Sequence, residues 1–145
     1  MVKAFIDTNV LMDLFLWDRP EKQLAKMVFS SARAGLFEAY ISSQSIIDTA
    51  YSAKKHGMTF ETFKSILQQL RVFVKILAIE ELELLWAVEH HSGDFEDDAQ
   101  YASAYNGVCD YFITRDEALL KLNSPFCPMT VITPSDFVAA MEADD

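Results

Sequence analysis

The chain has 145 residues, 51% of them apolar, and carries 12 basic against 22 acidic side chains for a net charge of −10. That length fits one domain able to bury roughly 68–70% of its unfolded surface without staples. With four Gly and four Pro, composition argues against a disordered chain, a disulfide scaffold or a many-turned β-barrel. The acidic balance excludes a protein that grips nucleic acid with a broad basic face. It fits plain solubility, or carboxylates gathered to hold a cation or meet a basic partner.

No apolar run approaches the ~20 residues that span a bilayer, so no membrane association is expected. Charges as early as Lys3 and Asp7 argue against a signal peptide. Cys109 and Cys127 are isolated thiols with no Cys/His array around them. They predict small core hydrophobes in a reducing, cytoplasmic setting, with no zinc site.

Val2 to Ile6 reads as a short strand ending at Asp7. Thr8 can cap a helix whose apolar positions are Val10, Leu11, Leu14 and Phe15. Arg19-Pro20 breaks the chain, and Pro20 suits the first turn of a second helix with Leu24, Met27 and Val28 inward, ending at Gly35. Leu36 to Ile41 is a strand with Phe37, Ala39 and Ile41 on one side. Ser42 and Ser43 cap a helix through Ile46, Ile47, Ala50 and Tyr51 to His56, stopped by Gly57. Thr59 to Thr62 opens a helix carrying Phe60, Phe63, Ile66, Leu67 and Leu70. Val72 to Leu77 is β-branched enough for a third strand. Glu80 to His91 is helical, its apolar side Leu82, Leu85, Trp86 and Val88. Ser92-Gly93 turns the chain into a helix from Asp94 to Asn106, where Ala99, Ala102, Ser103 and Ala104 allow close packing. Tyr111 to Ile113 is a fourth strand, a short helix runs through Leu119-Leu120, Met129 to Ile132 is the last strand, and Pro134 starts a terminal helix. Strands separated by helices imply an α/β fold, a parallel sheet between two helical layers. The chain reads as one domain over 1–145, with a core over 3–133 and a terminal helix and acidic tail (Glu142, Asp144, Asp145) over 134–145.

The aspartates fall at telling places. Asp7 ends strand one, Asp116 lies just past strand four, and Asp97 sits in the first turn of the helix that feeds strand four. Ligands of open parallel sheets bind beyond the carboxyl ends of the strands, where strand order reverses. In an order 3-2-1-4-5, that point lies between strands one and four, and Asp7 and Asp116 would face each other across it. Asp48 lies one turn into the helix after strand two. Asp94 stands one turn before Asp97. Each could merely cap a helix: Asp94-x-x-Asp97 resembles a capping box, and Asp116 opens a helix. Caps do not require convergence, however. Two carboxylates ~4 Å apart repel by about 4 kcal/mol at an effective dielectric near 20, so a cluster calls for a shared proton or a cation. All-oxygen donors suit Mg²⁺ or Mn²⁺, and such ions assist attack of water on phosphate esters.

These residues resemble a known family. Asp7-Thr8-Asn9-Val10 is similar to the opening motif of the PIN-domain nucleases. Ser42 to Asp48 resembles its second motif, Asp94-Phe95-Glu96-Asp97 followed by Ala102 and Ala104 its third, and Thr114-Arg115-Asp116 its fourth. The resemblance spans residues 3 to 133 in the right order. It implies a PIN fold, a Mg²⁺- or Mn²⁺-dependent ribonuclease, and kinship with VapC-like toxins, which dimerise and are inhibited by an antitoxin. It implies Asp7, Asp48, Asp97 and Asp116 as the acidic centre, with metal ligation by Asp7, Asp97, Asp116 and Asp94. Thr8, Asn9 and Thr114 would support it by hydrogen bonds. Asp48 is shorter than the more frequent Glu, and Asp98 stands where a small residue is more usual.

Other features carry two readings. Arg115 is either a phosphate contact or a solvated surface arginine. Lys54, Lys55 and His56 are a compact basic cluster that reads first as a solvated helix end and second as an RNA contact. Adjacent His90 and His91 diverge on a helix and make a poor ligand pair. The Phe60–Leu70 stretch is core, or else a dimer or antitoxin groove. Two other functions are compatible with an acidic α/β domain: Mg²⁺-dependent phosphotransfer or phosphatase chemistry, and a PIN-fold binding module without catalysis. The first is disfavoured by Asn9, where a phosphatase pattern wants a second acid, and by Thr133-Pro134, where a receiver wants lysine.

Overall fold

The computed structural model describes residues 1–91 and 93–143. Ser92 of the expected turn, and Asp144 and Asp145 of the expected tail, lie outside the described residues. The elements in chain order are β1 (Lys3–Ile6), α1 (Thr8–Phe15), α2 (Lys22–Arg33), β2 (Glu38–Ser42), α3 (Ser43–Lys55), α4 (Phe60–Leu70), β3 (Val74–Leu77), α5 (Glu81–Glu89), α6 (Phe95–Asn106), β4 (Tyr111–Ile113), α7 (Glu117–Leu120), β5 (Thr130–Ile132) and α8 (Pro134–Ala143). Every element expected from periodicity and capping is present. The five strands run parallel in the order β3-β2-β1-β4-β5.

Side-chain alternation divides the core into two halves. Ala4 and Ile6 of β1, Ala39 and Ile41 of β2 and Ile113 of β4 face the layer built from α1, α2, α4 and α8. Phe5, Tyr40, Phe112 and Val131 face the other, where Ala104 of α6, Leu119 of α7 and Met129 meet them. Phe5 and Phe112 stack at 5.0 Å across neighbouring strands. The small residues Ala99, Ala102, Ser103 and Ala104 of α6 are all buried, as the close-packing reading required. At its end Gly107 lies so near Leu77 that an added Cβ would sit 2.8 Å from Leu77 Cδ1. Cys109 is buried, Cys127 is partly exposed, and both thiols are free. No helix among the described residues is long and apolar enough to cross a membrane.

Four helix faces differ from their apolar patterns. In α2 the buried stripe is Ala25, Val28, Phe29 and Ala32, while Met27 points outward. In α3 the buried positions are Ser45, Thr49 and Ala53, and Ile47 and Tyr51 are exposed. Ser45 on this inward side meets Thr8 of α1 and Gln100 of α6, while Asp48, Tyr51 and Ser52 face the cleft described below. In α5 only Glu83 and Ala87 are buried, whereas Leu82, Leu85 and Val88 stand more than half exposed. Glu83 is held inward by a reciprocal bond at the helix start and by Asn106 Nδ2 at 2.9 Å, which rotates the apolar side toward solvent. In α4, Phe63 and Leu70 are core while Phe60 is exposed.

Candidate metal centre

The site begins where β1 and β4 end together. Ile6 pairs with Ile113, and the Asp7 amide donates to the Ile113 carbonyl at 3.0 Å. Asp7 is 1% exposed. It caps α1, accepting from the Thr8 amide on Oδ1 at 2.7 Å. Its Oδ2 accepts from the Thr114 hydroxyl at 2.8 Å. Asp116 caps α7 through Oδ1, which accepts from the amides of Ala118 and Leu119. Asp94 caps α6, accepting from the Asp97 amide at 3.0 Å. Both readings of the aspartates therefore hold at once: three helices start around one point, so the caps converge.

The point is a cleft of about 370 Å³ lined by Asp7, Asp48, Asp94, Glu96, Asp97 and Asp116, with Thr8, Asn9, Met12, Tyr51 and Ser52 completing its walls. Among the described residues no Lys, Arg or His lines it. The electrostatic consequence is direct. Burial pushes the Asp7 carboxyl up to about 6, against the opposing hydrogen bonds from Thr114 and Thr8. Burial raises Asp97 to about 8, and the Asp7 charge and a hydrogen bond shared with Asp116 add to it. Burial likewise raises Glu96 to about 8, helped by a hydrogen bond shared with Asp48 and by the Asp48 charge. Asp7, Glu96 and Asp97 thus resist ionising in a buried, acidic surrounding.

The residues fit a divalent cation on three grounds. The donors are all oxygen, which suits a hard ion that keeps part of its water. The raised carboxyls show uncompensated negative charge that such an ion would relieve. Asp48 Oδ2 is buried with no hydrogen-bond partner, so between Asp48 and Glu96 something is missing that a proton or a cation supplies. Among the described residues no three Asp, Glu, His or Cys side chains stand close enough together to hold an ion as they are placed.

All four aspartates expected at the acidic centre, and Asp94, line this cleft, with Thr8 and Asn9 beside them. Thr114 is fully buried beneath it and holds Asp7. Asp98 turns away, burying itself against His91 at 3.3 Å, and His90 stacks on Trp86. Arg115 is about a third exposed, and its Nε and Nη2 donate to the two oxygens of buried Asp13 at 2.9 and 3.0 Å. Three residues escaped the sequence reading. Glu96 lies between Asp94 and Asp97 and reads as a surface acid of a first helical turn. Gln100 is fully buried and bonds to Thr8 and Glu96. Asp13, within an apolar helix, was the one signal available for a buried charge needing a partner.

A family model described as PIN domain matches residues 3–118. No curated protein sequence matches. Among solved structures, the chain is similar to VapC20 of Mycobacterium tuberculosis, described as a sarcin–ricin-loop-cleaving toxin, at 13% identity and TM-score 0.67, over 86% of this chain and 99% of that one. It is similar to a chain of a toxin–antitoxin complex from Klebsiella pneumoniae at 22% identity and TM-score 0.63, over 90% and 97% of the two chains. It is also similar to PAE2754 from Pyrobaculum aerophilum at 16% identity and TM-score 0.65, over 98% and 90%. At these identities the likeness is one of fold.

Proposed function

Because the chain belongs to the PIN-domain family, we propose that it is a Mg²⁺- or Mn²⁺-dependent endoribonuclease that acts as the toxin of a toxin–antitoxin pair. The observation that carries this reading is the convergence of six carboxylates, with no basic side chain among them, at the carboxyl ends of β1 and β4. Asp7, Asp97 and Asp116 would hold the ion, with Asp94 and Asp48 beside them. The ion supplies a more acidic bound water and offsets charge on the phosphodiester oxygens. The chain itself holds Asp7 in one orientation from both sides, through the Thr8 amide and the Thr114 hydroxyl. Asp94 and Asp116 each commit one oxygen to a helix start and leave the other for the cleft.

Two neighbours described as a toxin and as part of a toxin–antitoxin complex support the biological assignment. A net charge of −10 favours a basic antitoxin. The exposed Leu82, Leu85 and Val88 of α5 favour association of two copies as a homodimer. Two free thiols support a reducing, cytoplasmic setting. The test is hydrolysis of single-stranded RNA with Mn²⁺ by the wild type and by Asp7→Asn. Cleavage lost in the variant supports the reading, and equal cleavage by both, or none by the wild type, refutes it.

A further inference from the structure

Beneath the acidic cleft lies a set of buried polar groups that the sequence reading did not connect. Gln100, Ser45 and Ser42 are each 0% exposed and Thr8 is 7% exposed. Gln100 Nε2 donates to Thr8 Oγ1 at 2.8 Å and to Glu96 Oε1 at 3.1 Å. Its Oε1 accepts from Ser45 Oγ at 3.1 Å. Thr8 Oγ1 and Ser45 Oγ are 2.7 Å apart, and Ser42 Oγ and Ser45 Oγ 2.9 Å. One amide thus touches α1, α3 and α6, three helices that each contribute residues to the wall of the cleft.

The inventory of protons has one solution. An amide oxygen only accepts, so the Ser45 hydroxyl proton goes to Gln100. The Thr8–Ser45 bond must then use the Thr8 proton, and the Ser42–Ser45 bond the Ser42 proton. Gln100, Thr8 and Ser45 form a closed ring, in which Gln100 gives to Thr8, Thr8 to Ser45 and Ser45 to Gln100. Two consequences follow. Thr8 has no proton left for the cleft, so its hydroxyl offers only a lone pair there. It suits a water's O–H and not a phosphate oxygen. The second Gln100 N–H fixes Glu96 at one oxygen, leaving the other for Asp48.

We propose that Gln100 is a positioning residue of the acidic site, its amide holding Thr8 and Glu96 on facing walls of the cleft through the ring it closes with Ser45. The inference rests on the reading of the cleft as a cation site. Six carboxyl groups crowd the cleft, and an uncharged buried amide ties α1, α3 and α6 together without adding a cation that would compete with the metal. A fully satisfied buried network of this kind also specifies one side-chain arrangement.

The experiment titrates Mn²⁺ alone into the full chain by calorimetry, at a temperature where each variant is folded, and follows RNA cleavage at saturating Mn²⁺. Gln100→Leu removes all three bonds of the amide. Ser45→Ala breaks the ring at its hub, leaves less buried polarity behind, and decides the matter should the leucine variant not fold. The expected result is that each weakens Mn²⁺ binding by about tenfold or more, the scale of lost outer partners at metal sites. RNA KM at saturating Mn²⁺ stays unchanged, and the double variant binds no more weakly than Gln100→Leu, because both break one ring. A merely structural role lowers the melting temperature and leaves Mn²⁺ affinity alone. Affinity within twofold of wild type in Ser45→Ala, or fully additive losses in the double variant, overturns the proposal. A wild type that binds no Mn²⁺ overturns this inference together with the nuclease reading, whereas a wild type that binds beside unaffected variants overturns this inference only.

Discussion

Thr114 Oγ1 donates to Asp7 Oδ2 at 2.8 Å while accepting the Asp116 amide N–H at 2.9 Å. One hydroxyl thus joins the last residue of β1's path to the first turn beyond β4, and orients two carboxylates across the switch point of the sheet. It is among the forces holding the Asp7 carboxyl down against burial. Thr114→Val keeps the shape and deletes the hydroxyl. Asp7 then titrates higher and loses its orientation, and the Asp116 amide loses an acceptor. The expected outcome is a fall in kcat/KM of about tenfold or more with Mn²⁺, about 1–3 kcal/mol of lost stability from the unpaired amide, and a shift of the acidic limb of the pH–rate profile to higher pH. An unchanged pH profile would show that Thr114 does not tune Asp7.

The raised carboxyls make the metal-free protein sensitive to base. Asp7 binds its proton more tightly folded, near pH 6, than at its ordinary value of 3.8, so stability falls as pH rises through that interval and stays lowered above it. Glu96 and Asp97 extend the loss up to about pH 8. In EDTA the melting temperature should therefore be higher at about pH 5.5 than at about pH 9, and millimolar Mn²⁺ should recover most of the difference at the higher pH. Asp7→Asn removes the buried charge. For the metal-free chain near pH 8, the interval from 3.8 to about 6 corresponds to a gain of up to roughly 3 kcal/mol at ~1.36 kcal/mol per pH unit. Thermal scans of wild type and variant, with and without Mn²⁺, check both statements. A variant less stable than wild type in EDTA would refute the second.

Arg115 illustrates where local reading runs out. It adjoins Asp116 in sequence and so looks like a phosphate contact, yet its guanidinium is spent on Asp13, which is 1% exposed and lies within α1. Arg19 Nη1 approaches the same carboxylate at 3.8 Å. Removing the arginine strands a buried charge, and such losses cost about 3–5 kcal/mol. Arg115→Ala should lower the melting temperature sharply while leaving the salt dependence of RNA binding unchanged. Arg115→Lys should recover little, since lysine has no planar fork to match both oxygens. A steeper or shallower salt slope in a folded Arg115 variant would restore the phosphate role.

The contrast between Asp7 and Asp13 explains how much was legible. Strand–helix alternation, caps such as Thr59 and Asp94, and the positions of the aspartates are local patterns, and they carried the parallel α/β architecture and five of the six cleft carboxylates, whereas the strand order came with the family resemblance. Glu96 was hidden because a glutamate in a first helical turn has an ordinary local reason to be there. Gln100 and Ser45 were hidden because their partners come from other helices and only the assembled fold brings them together. The apolar side of α5 misled for a related reason: Glu83 wins the inward position through Asn106, a contact distant in sequence.

The same folding brings one member of the basic cluster near the cleft wall. Asp48, Tyr51, Ser52 and Lys55 share one face of α3 at helical spacing, and Tyr51 and Ser52 already line the cleft. Tyr51 is 66% exposed, and Lys55 Nζ lies 5.5 Å from its ring centroid. A chain with net charge −10 has little else to draw an RNA strand toward six carboxylates. A base stacked on Tyr51 with the next phosphate near Lys55 would lead the strand out of the cleft along α3. Tyr51→Ala should raise KM for a single-stranded oligoribonucleotide by roughly 5- to 100-fold, the scale of one base–aromatic stack, with kcat and Mn²⁺ affinity close to wild type. Tyr51→Trp should retain binding. Lys55→Ala should weaken binding and reduce the slope of log affinity against log salt by about 0.7, the value for one phosphate contact on a single strand. Because both side chains are exposed, melting temperatures should not move. A KM unaffected by Tyr51→Ala, or a salt slope unaffected by Lys55→Ala, would send the strand over another wall of the cleft.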